Sequence, residues 1–423
     1  MKAVVMAGGK GTRMAGVCVA LPKPMLPLLE KPILEREIEV LRQEGFSDIV
    51  LVVGHLSDAI KNHFGDGTAF GVHITYCEEK EPLGTAGALA LLKDTLAGDD
   101  FLLLNGDLLF DVDLGRFLAY HRERGGIATI FTHPSRHPAD SVLVACDEDE
   151  RVTAFLPPDA ARHATRNRTN AGLHFFSPAI LSRFNEIKKT DLDREVLSPL
   201  AAEGRLYAYH SPEYVKDVGT PARFAEGERD LKGGLVARGN LKCPQKAVFL
   251  DRDGTINRHV GFVTSPDQIE LLEGAAEAIK RLNDRHVPVI VITNQPVLAR
   301  GEVTKAGLSE IHARLEALLA ERGAYLTDIF YCPHHPDGGF AGEVTALKQP
   351  CDCRKPAPGL LLAAAAKYNI ALSRSYMIGD SDRDMEAARR AGCHTAAIGA
   401  PDAEIVGDSL FHCVDQILKN EDF

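Results

Sequence analysis

Two aspartates stand two residues apart, directly after a short apolar run. The run KAVFL, residues 246–250, leads into Asp251-Arg252-Asp253-Gly254. If the run is a strand of a parallel sheet, both carboxylates lie at its carboxyl edge, where α/β proteins bind ligands. There one carboxylate can attack phosphorus while the other protonates the leaving oxygen. Taken alone, however, an Asp-x-Asp-Gly sequence is more often an ordinary turn.

Three later signals favour phosphate chemistry over a plain turn. Thr293 and Asn294 end the next strong apolar run, Lys355 follows further along the chain, and Asp380 ends another apolar run. A hydroxyl and an amide can hold phosphoryl oxygens, and a lysine can neutralise charge on the nucleophile and the phosphate. Asp380 could complete a magnesium site with Asp251. Together these signals predict a magnesium-dependent phosphatase with Asp251 as its nucleophile.

Between these motifs lie two pairs of soft metal ligands. They are Cys332 with His334, and Cys351 with Cys353. Three thiolates and an imidazole at this spacing favour zinc in a closed tetrahedral site, which would be structural. The alternative is a group of buried or reactive free cysteines. A zinc ion here would pin the glycine-rich loop 337–350 and position Arg354 and Lys355.

This order of motifs resembles the haloacid dehalogenase superfamily of phosphatases, over residues 246 to about 418. The resemblance implies a nucleophile at Asp251, a general acid at Asp253, phosphate-binding groups at Thr293, Asn294 and Lys355, and magnesium ligands at Asp251, Asp380 and the backbone carbonyl of Asp253. The zinc signature and residues 257–263 look like one branch, the heptose 1,7-bisphosphate 7-phosphatases and the related histidinol phosphatases. The substrate would then be a small phosphate monoester, bound also by Arg300 and Arg354. The chain departs from that branch at Pro296-Val297, which precede Leu298-Ala299-Arg300-Gly301.

The first half of the chain has its own phosphate-binding candidates. After an apolar run come Gly8, Gly9, Gly11, Thr12 and Arg13, and Lys23 follows shortly after. Glycines let backbone N–H groups approach phosphate oxygens, and the two cations add charge to the same pocket. A glycine-rich loop is weak evidence by itself, and its spacing fits neither a Walker loop nor a dinucleotide fingerprint.

Later residues strengthen this interpretation. Gly84 opens a GTAG segment where a base could lie against bare backbone, and Asp107 and Asp217 could hold a magnesium ion on a triphosphate. The alternative role of either aspartate is to cap a helix or turn. Together the motifs resemble the sugar-1-phosphate nucleotidyltransferases over residues 1–231. The resemblance implies that Arg13 stabilises the leaving pyrophosphate, that Lys23 stabilises the α-phosphate, and that Asn170 and Gly172 line the sugar site.

One motif of that family is missing. A Glu-Lys pair commonly precedes the Asn-Ala-Gly segment and touches the sugar phosphate, whereas this chain has Leu156-Pro157-Pro158 after Phe155. Arg166 or Arg168 could replace the lysine, or the domain could be weakly active.

The elements that must position these residues alternate between short apolar runs and amphipathic stretches, which predicts two layered α/β domains. We expect a Rossmann-like nucleotidyltransferase with a mostly parallel sheet at 1–231, a glycine-rich linker at 232–245, and a Rossmannoid phosphatase domain with a zinc-pinned loop at 246–423. The first is predicted to have strands near 3–7, 48–53, 73–77, 101–104 and 127–132, and helices near 33–44, 114–124 and 221–231. The second is predicted to have strands near 246–250, 287–293, 329–332, 375–378 and 395–398, and helices near 274–285, 305–322 and 358–367.

Composition narrows the class of partners. The net charge of -11 comes without a Lys/Arg-rich run, which weighs against nucleic acid and anionic membranes. No apolar run is long enough to span a bilayer, and no signal peptide is visible, so we expect a cytoplasmic protein. The expected partners are heptose phosphates and a nucleoside triphosphate, with magnesium at both sites and structural zinc; a homo-oligomer stays open.

Fusing the two activities has a chemical logic. The phosphatase would release heptose 1-phosphate through an aspartyl-phosphate, and the transferase would join it to a nucleotide, with guanine favoured by family likeness alone. Two alternatives stay open: a phosphatase of histidinol phosphate or another small monoester, and an N-terminal domain that binds a nucleotide sugar as a regulatory module or activates a different sugar 1-phosphate.

Overall fold

The computed structural model describes residues 1–9, 21–160, 165–339 and 341–420. The chain divides into two compact units, each described separately below. The first unit consists of Met1–His133, Val144–Phe155 and Asn170–Asn240. The second consists of Pro134–Leu143, Leu156–Thr169 and Leu241–Phe423. The division near residue 240 falls inside the predicted linker, but two short segments from the first half of the chain belong to the second unit.

The first half of the chain contains thirteen strands and seven α-helices among its described residues. The strands are β1 (Lys2–Met6), β2 (Pro27–Leu28), β3 (Lys31–Pro32), β4 (Asp48–Val53), β5 (His73–Glu78), β6 (Phe101–Asn105), β7 (Leu108–Asp111), β8 (Ala128–His133), β9 (Leu143–Cys146), β10 (Val152–Leu156), β11 (Thr169–Phe176), β12 (Leu206–His210) and β13 (Tyr214–Asp217). The helices are α1 (Ile33–Gln43), α2 (Ser57–Phe64), α3 (Lys93–Leu96), α4 (Leu114–Arg124), α5 (Ser198–Ala202), α6 (Pro221–Lys232) and α7 (Leu235–Arg238). Helix α7 lies within the stretch predicted to be a linker.

A nine-stranded sheet organises the first unit. Seven strands run in the order β10-β9-β11-β6-β1-β4-β5, and β8 joins β11 to β12. Strand β1 pairs in parallel with both β4 and β6, so the strand order reverses between β1 and β6. Ala3 and Val5 pack on one face while Val4 packs on the other, because successive side chains of a strand alternate. The separate antiparallel pair β7–β13 places Asp217 opposite Leu108.

The second unit is built on six parallel strands. They are β14 (Val248–Leu250), β15 (Val289–Asn294), β16 (Asp328–Cys332), β17 (Tyr376–Gly379), β18 (His394–Ile398) and β19 (Ile405–Gly407). The helices are α8 (Ala275–Asn283), α9 (Lys305–Ala320), α10 (Gly359–Tyr368), α11 (Asp382–Ala391) and α12 (Leu410–Lys419). The strand order β16-β15-β14-β17-β18-β19 reverses between β14 and β17, where doubly wound sheets bind ligands.

The predicted fold class is therefore confirmed: both units are α/β and rest on largely parallel sheets. Each predicted strand and helix has a counterpart, and its ends agree within a few residues. None of the helices in the described residues is both long and apolar enough to cross a bilayer.

Candidate active sites

Asp251, Lys355 and Asp384 form a buried charged group at the reversal point of the second sheet. Asp251 follows β14, and its N–H donates to the carbonyl of Ile378 in β17 at 2.9 Å. Lys355 Nζ lies 2.8 Å from Asp251 Oδ1 and 2.5 Å from Asp384 Oδ1. Burial alone lowers the pKa of Lys355, but its two ion pairs outweigh that effect and raise it. The lysine therefore stays charged and pairs with both carboxylates.

A third carboxylate makes this group suitable for a cation. Ligand atoms of Asp251, Asp380 and Asp384 all lie within 4.8 Å of one another. Burial, with a contribution from Asp384, raises the pKa of Asp251 to about 6 against the opposing effect of Lys355. Three carboxylates share one lysine, so the group keeps a net negative charge. Carboxylate oxygens are also the ligands that a magnesium ion prefers. Gly254 has a positive φ, and a Cβ there would lie 1.9 Å from Asp380 Oδ2, so a side chain at this position would displace that carboxylate.

Asp253 is held by three side chains. Arg252, which is fully buried, donates through Nε and Nη2, while Asn257 Nδ2 and Gln295 Nε2 donate at 2.9 and 3.1 Å. Burial alone raises the pKa of Asp253, but the charge of Arg252 and these hydrogen bonds outweigh it and lower the pKa. The carboxylate is therefore ionised and fixed in this state.

The predicted phosphate-binding residues lie together at the end of β15, but in different roles. Thr293 is 1% exposed, and its Oγ1 accepts from Gln295 Nε2 at 2.9 Å, which leaves the hydroxyl proton for another acceptor. Asn294 Nδ2 donates to the carbonyl of Lys355, and Asn294 Oδ1 accepts the Lys355 N–H, both at 3.0 Å. Both polar atoms of the Asn294 side chain thus hold the Lys355 backbone, and a phosphate contact by Asn294 stays a prediction.

The two arginines predicted to bind substrate lie outside this charged group. The Arg300 guanidinium sits 4.5 Å from the ring centroid of Phe262 and donates to Glu302 at 2.7 Å. Arg354 Nη1 donates to the carbonyl of His334 at 3.2 Å. The structure therefore does not place either arginine on the Asp251 carboxylate, and their substrate contacts stay a prediction.

Cys332, His334, Cys351 and Cys353 converge into one cluster. Its sulfur atoms lie 3.2–3.6 Å apart, and His334 Nδ1 lies 3.3 Å from Cys353 Sγ. These separations exceed an S–S bond of about 2.05 Å. In a tetrahedral site with Zn–S bonds of about 2.3 Å, sulfurs lie roughly 3.8 Å apart. The four side chains therefore form a group that could hold a metal ion.

The first unit has a cavity of about 410 Å³ at the reversal point of its own sheet. Its lining includes the predicted residues Gly8, Gly9, Lys23, Gly84, Asp107 and Asp217, and also Glu79, Asn105 and Gly219. A Cβ on Gly8 would lie 2.8 Å from Glu79 Oε2, and one on Gly84, whose φ is positive, would lie 2.6 Å from the carbonyl of Thr190. Gly11, Thr12 and Arg13 lie outside the described residues.

Lys23 connects the two predicted metal ligands of the first unit. Its Nζ pairs with Asp107 Oδ2 and lies 3.9 Å from Asp217 Oδ1. The β7–β13 pair explains why two carboxylates so far apart in sequence meet: Val218 N–H donates to the Asp107 carbonyl at 3.0 Å. Two carboxylates beside an open cavity fit magnesium, which takes its other ligands from water and phosphates.

The predicted sugar-binding residues lie on β11, beside the cavity lining. Asn170 Oδ1 accepts from Gly172 N–H and contacts His174 Nε2, each at 3.1 Å, and Asn170 Nδ2 donates to Asp193 at 3.4 Å. Gly172 has a positive φ, and a Cβ there would lie 2.8 Å from Asn105 Nδ2. Asp193 belongs to a π-helix, Leu192–Leu197, and such segments are frequent at functional sites.

Arg166 and Arg168, suggested as replacements for the missing lysine of the sugar site, make ion pairs within the second unit, and that replacement stays a prediction. Arg166 donates to both oxygens of Glu316, and both arginines lie within 4.0 Å of Asp328. These carboxylates belong to the second unit, as the arginines do. Each guanidinium group is therefore paired with a carboxylate of the second unit.

Asp384, Gln295, Arg252 and Glu79 are site residues to which the sequence assigned no role. Asp384 lies within the GDSDRD segment and Gln295 directly follows Asn294, so only their proximity to predicted residues could have indicated them.

Two models of known protein families match the chain, one mainly in its first half and the other mainly in its second. The nucleotidyl transferase model matches residues 2–233, and the haloacid dehalogenase-like hydrolase model matches residues 174–392. Each match covers more than half of the 423 residues, and the two overlap over residues 174–233.

Individual relatives match one half only. The chain is 33% identical over 236 residues to mannose-1-phosphate guanylyltransferase from Mycobacterium tuberculosis, which covers 55% of this chain and 65% of that protein. It is 35% identical over 217 residues to UTP–glucose-1-phosphate uridylyltransferase from Synechocystis, covering 48% of this chain and 56% of that protein. The chain thus spans less than two thirds of the length of either relative. A solved structure of D,D-heptose 1.7-bisphosphate phosphatase from B. bronchiseptica, complexed with magnesium and phosphate, is 36% identical and covers 41% of this chain and 99% of that one, with a TM-score of 0.37.

Proposed function

The chain belongs to the nucleotidyl transferase and haloacid dehalogenase-like hydrolase families, and we propose that it performs two consecutive steps in making a nucleotide-activated heptose. The second unit removes the 7-phosphate of D-glycero-D-manno-heptose 1,7-bisphosphate. The first unit then joins the heptose 1-phosphate to GMP from GTP, with release of pyrophosphate. The observation that carries the proposal is that each sheet gathers its own carboxylate and lysine group at its reversal point.

In the phosphatase step the Asp251 carboxylate attacks phosphorus, and the bond from phosphorus to the sugar oxygen breaks. Asp253 gives a proton to that leaving oxygen, and Lys355 neutralises the phosphoryl oxygens. Because Asp253 is ionised in this structure, it must take up a proton before or as the ester binds. Water then cleaves the aspartyl-phosphate, which restores Asp251 and releases phosphate. A magnesium ion at Asp251, Asp380 and the Asp253 carbonyl would supply further charge neutralisation.

We assign structural zinc to the Cys332, His334, Cys351 and Cys353 cluster. Its four ligands leave no open position, which is typical of structural rather than catalytic sites. The cluster closes the ends of the loop that precedes Arg354 and Lys355, so it would fix the backbone from which Lys355 reaches Asp251.

In the transferase step an oxygen of the sugar phosphate attacks the α-phosphorus of the nucleotide, and the bond to the pyrophosphate leaving group breaks. The attacking oxygen is already anionic, so no general base is needed, and alignment and charge neutralisation carry the rate. Lys23 would neutralise the α-phosphate. A magnesium ion at Asp107 and Asp217 would bind the triphosphate.

Glu79 supports guanine as the base. It lines the cavity beside Gly84, and its Oε1 is buried with no hydrogen-bond partner among the described residues. Guanine carries adjacent N1–H and N2–H donors that a carboxylate can accept together, whereas uracil offers one N–H between two carbonyls and adenine places an acceptor beside its amino group. A buried acceptor left unpaired penalises the other bases. The mannose-1-phosphate guanylyltransferase relative uses the same base by its name.

The heptose assignment rests on ring chemistry and on the fusion. D-glycero-D-manno-heptose shares the ring configuration of mannose, the sugar named for the Mycobacterium relative. A phosphatase that frees the distal phosphate of a sugar bisphosphate would produce the sugar 1-phosphate that the other unit consumes. The zinc cluster and residues 257–263 favour the same branch of phosphatases.

Two measurements test the proposal. Heptose 1,7-bisphosphate with GTP and magnesium should yield both phosphate and pyrophosphate, and histidinol phosphate should be turned over more slowly. Asp251→Asn should abolish phosphate release but keep pyrophosphate release from supplied heptose 1-phosphate. Loss of both activities would contradict independent sites, and no pyrophosphate with any nucleoside triphosphate would refute the transferase step.

Glu79→Gln tests the base. Its amide would place a donor against a guanine N–H, so kcat/KM for GTP should fall by about 5- to 150-fold, which corresponds to the 1–3 kcal/mol of a lost bidentate base contact. The rate with UTP should change little. An unchanged GTP preference would exclude Glu79 as the determinant.

A second candidate for the first unit is a module that binds a nucleotide sugar without turnover. It is favoured by the missing Glu-Lys pair together with the commitment of Arg166 to Glu316. Calorimetry that shows binding of a GDP-sugar, in a protein that releases no pyrophosphate, would support it.

A further inference from the structure

Glu37 is a buried carboxyl group of the first unit to which none of the proposed steps gives a role. It lies on α1 and is 1% exposed. Its Oε1 accepts the N–H of Leu108 at 2.7 Å, and its Oε2 is buried with no partner in the part of the chain that the structure describes. Burial raises the pKa of Glu37 well above its usual value, against the opposing effect of the Leu108 hydrogen bond. Burying a carboxyl group costs free energy unless its oxygens are hydrogen-bonded, and within the described residues only one of the two Glu37 oxygens is.

The hydrogen-bond partner of Glu37 lies in the turn that carries a proposed metal ligand. Leu108 directly follows Asp107 and begins β7. On the other side of this turn, β13 places Asp217 opposite Leu108 and Val218 on the Asp107 carbonyl. The backbone that presents Asp107 is therefore held by β13 from one direction and by Glu37 from another. Lys23 and Asp107 are both close enough to affect the charge state of Glu37.

We propose that Glu37 is a positioning residue for nucleotidyl transfer, which holds the Leu108 amide so that Asp107 faces the metal and the triphosphate. Glu37 would not touch the substrate itself. This inference rests on the proposed transferase function, because it takes Asp107 as a ligand of the metal–nucleotide complex. Outer groups that orient metal ligands typically change metal affinity or activity by about 10- to 100-fold when they are lost.

Three substitutions separate positioning from simple burial. Glu37→Gln keeps a side-chain oxygen that can accept the Leu108 N–H and nearly the same shape, so it should keep near wild-type behaviour. Glu37→Leu keeps the volume but removes the acceptor. It should weaken Mn²⁺–GTP binding, measured by calorimetry, by about 10-fold or more and raise the magnesium concentration needed for half-maximal pyrophosphate release. Glu37→Asp shortens the side chain by one methylene and tests the same bond if the leucine variant does not fold.

Glu44 provides a matched control near the end of the same helix. Its Oε2 accepts the N–H of Leu114 at 3.1 Å, so Glu44→Leu removes the same kind of bond away from Asp107. It should lower the melting temperature without changing Mn²⁺–GTP affinity. Phosphate release by the second unit checks the active concentration of each variant.

The outcomes separate the inference from the proposed function. The role of Glu37 would be overturned if folded Glu37→Leu and Glu37→Asp bind Mn²⁺–GTP as tightly as wild type does. It would also be overturned if Glu37→Gln and Glu37→Leu lose the same amount of Mn²⁺–GTP affinity. If wild type binds Mn²⁺–GTP but releases no pyrophosphate, the transfer reaction is refuted while the affinities still decide the role of Glu37. No Mn²⁺–GTP binding by wild type overturns both.

Discussion

Arg166 and Glu316 form a doubly hydrogen-bonded ion pair within the second unit. Arg166 Nε and Nη2 donate to Oε2 and Oε1 of Glu316 at 2.8 and 2.9 Å, and the N–H of Asn167 donates to the same carboxylate at 2.9 Å. Glu316 is 4% exposed, and Asp328 lies 3.6 Å from Arg166. The segment Leu156–Thr169 therefore supplies cations to two buried carboxylates that follow it far along the chain.

Arg166→Met should strongly destabilise the second unit. Removing one partner of a buried ion pair leaves the other charge uncompensated, which costs about 3–5 kcal/mol. Guanidinium unfolding, monitored through loss of phosphatase activity on dilution into assay buffer, would measure the change. A fragment that begins at residue 241 lacks both Arg166 and Arg168 and should be destabilised at least as much.

Glu386→Gln is the control for that measurement. Glu386 pairs with Arg390 on the surface of α11, with side chains 42% and 51% exposed, and such pairs contribute about 1 kcal/mol or less. A fragment starting at residue 241 with the stability of the intact second unit would contradict the role given to Arg166.

The sequence predicted the sheets and their edge residues well, because hydrophobic alternation and motif order carry that information locally. It predicted a single division at 232–245, since glycines and missing periodicity mark a linker. It could not predict that Pro134–Leu143 and Leu156–Thr169 belong to the second unit, because the pairing of Arg166 with Glu316 depends on tertiary contacts that leave no periodic signal. For the same reason Arg166 was open to a different interpretation, as a ligand of the sugar phosphate.

Asp384→Asn should impair phosphate release although Asp384 was not predicted to act. It is 1% exposed, lies 2.5 Å from Lys355 Nζ and accepts from the Ser381 N–H and Oγ. The amide keeps the shape but removes the charge, so Lys355 would pair with Asp251 alone and compete with magnesium. We expect kcat for phosphate release to fall by about 10-fold or more, and the magnesium requirement to rise.

Asp382→Asn changes the same motif at an exposed position in the first turn of α11 and should leave both quantities near wild type. A phosphatase with normal magnesium dependence after Asp384→Asn would show that this carboxylate only caps the first turn of α11.

Cys351→Ser should remove zinc before it affects chemistry. A serine hydroxyl is a poor substitute for a thiolate in a tetrahedral site, so bound zinc should fall from about one ion per chain to near zero. Metal analysis and a lower melting temperature would report the loss, and phosphate release should fall as the Lys355 backbone loosens. Cys243→Ser, at an exposed cysteine outside the cluster, should change neither. Purified wild-type protein without zinc would refute the assignment.

The sequence could not show which side chains hydrogen-bond to the predicted site residues. Asp251 and Asp380 directly follow apolar strands, and that position marks them as edge residues. Gln295 and Glu37 make hydrogen bonds to Asp253 and to the backbone next to Asp107. Their residue types are common on helices and turns, so only the folded arrangement distinguishes them.

His174 predicts how the first unit responds to acid. It lies on β11 and is 2% exposed, and burial lowers its pKa to about 4. An unfolded histidine titrates near 6.5, so between about pH 6.5 and 4 the unfolded chain binds a proton that the folded chain does not. Stability from this group is therefore complete above pH 6.5 and is lost as the pH falls towards 4, with a slope of up to about 1.4 kcal/mol per pH unit.

His174→Gln should flatten the pH dependence of β11 protection by that amount. Hydrogen exchange corrected for intrinsic rates would measure it, and comparison with wild type cancels the carboxylates that both proteins share. Equal slopes in the two proteins would show that His174 takes up its proton without cost.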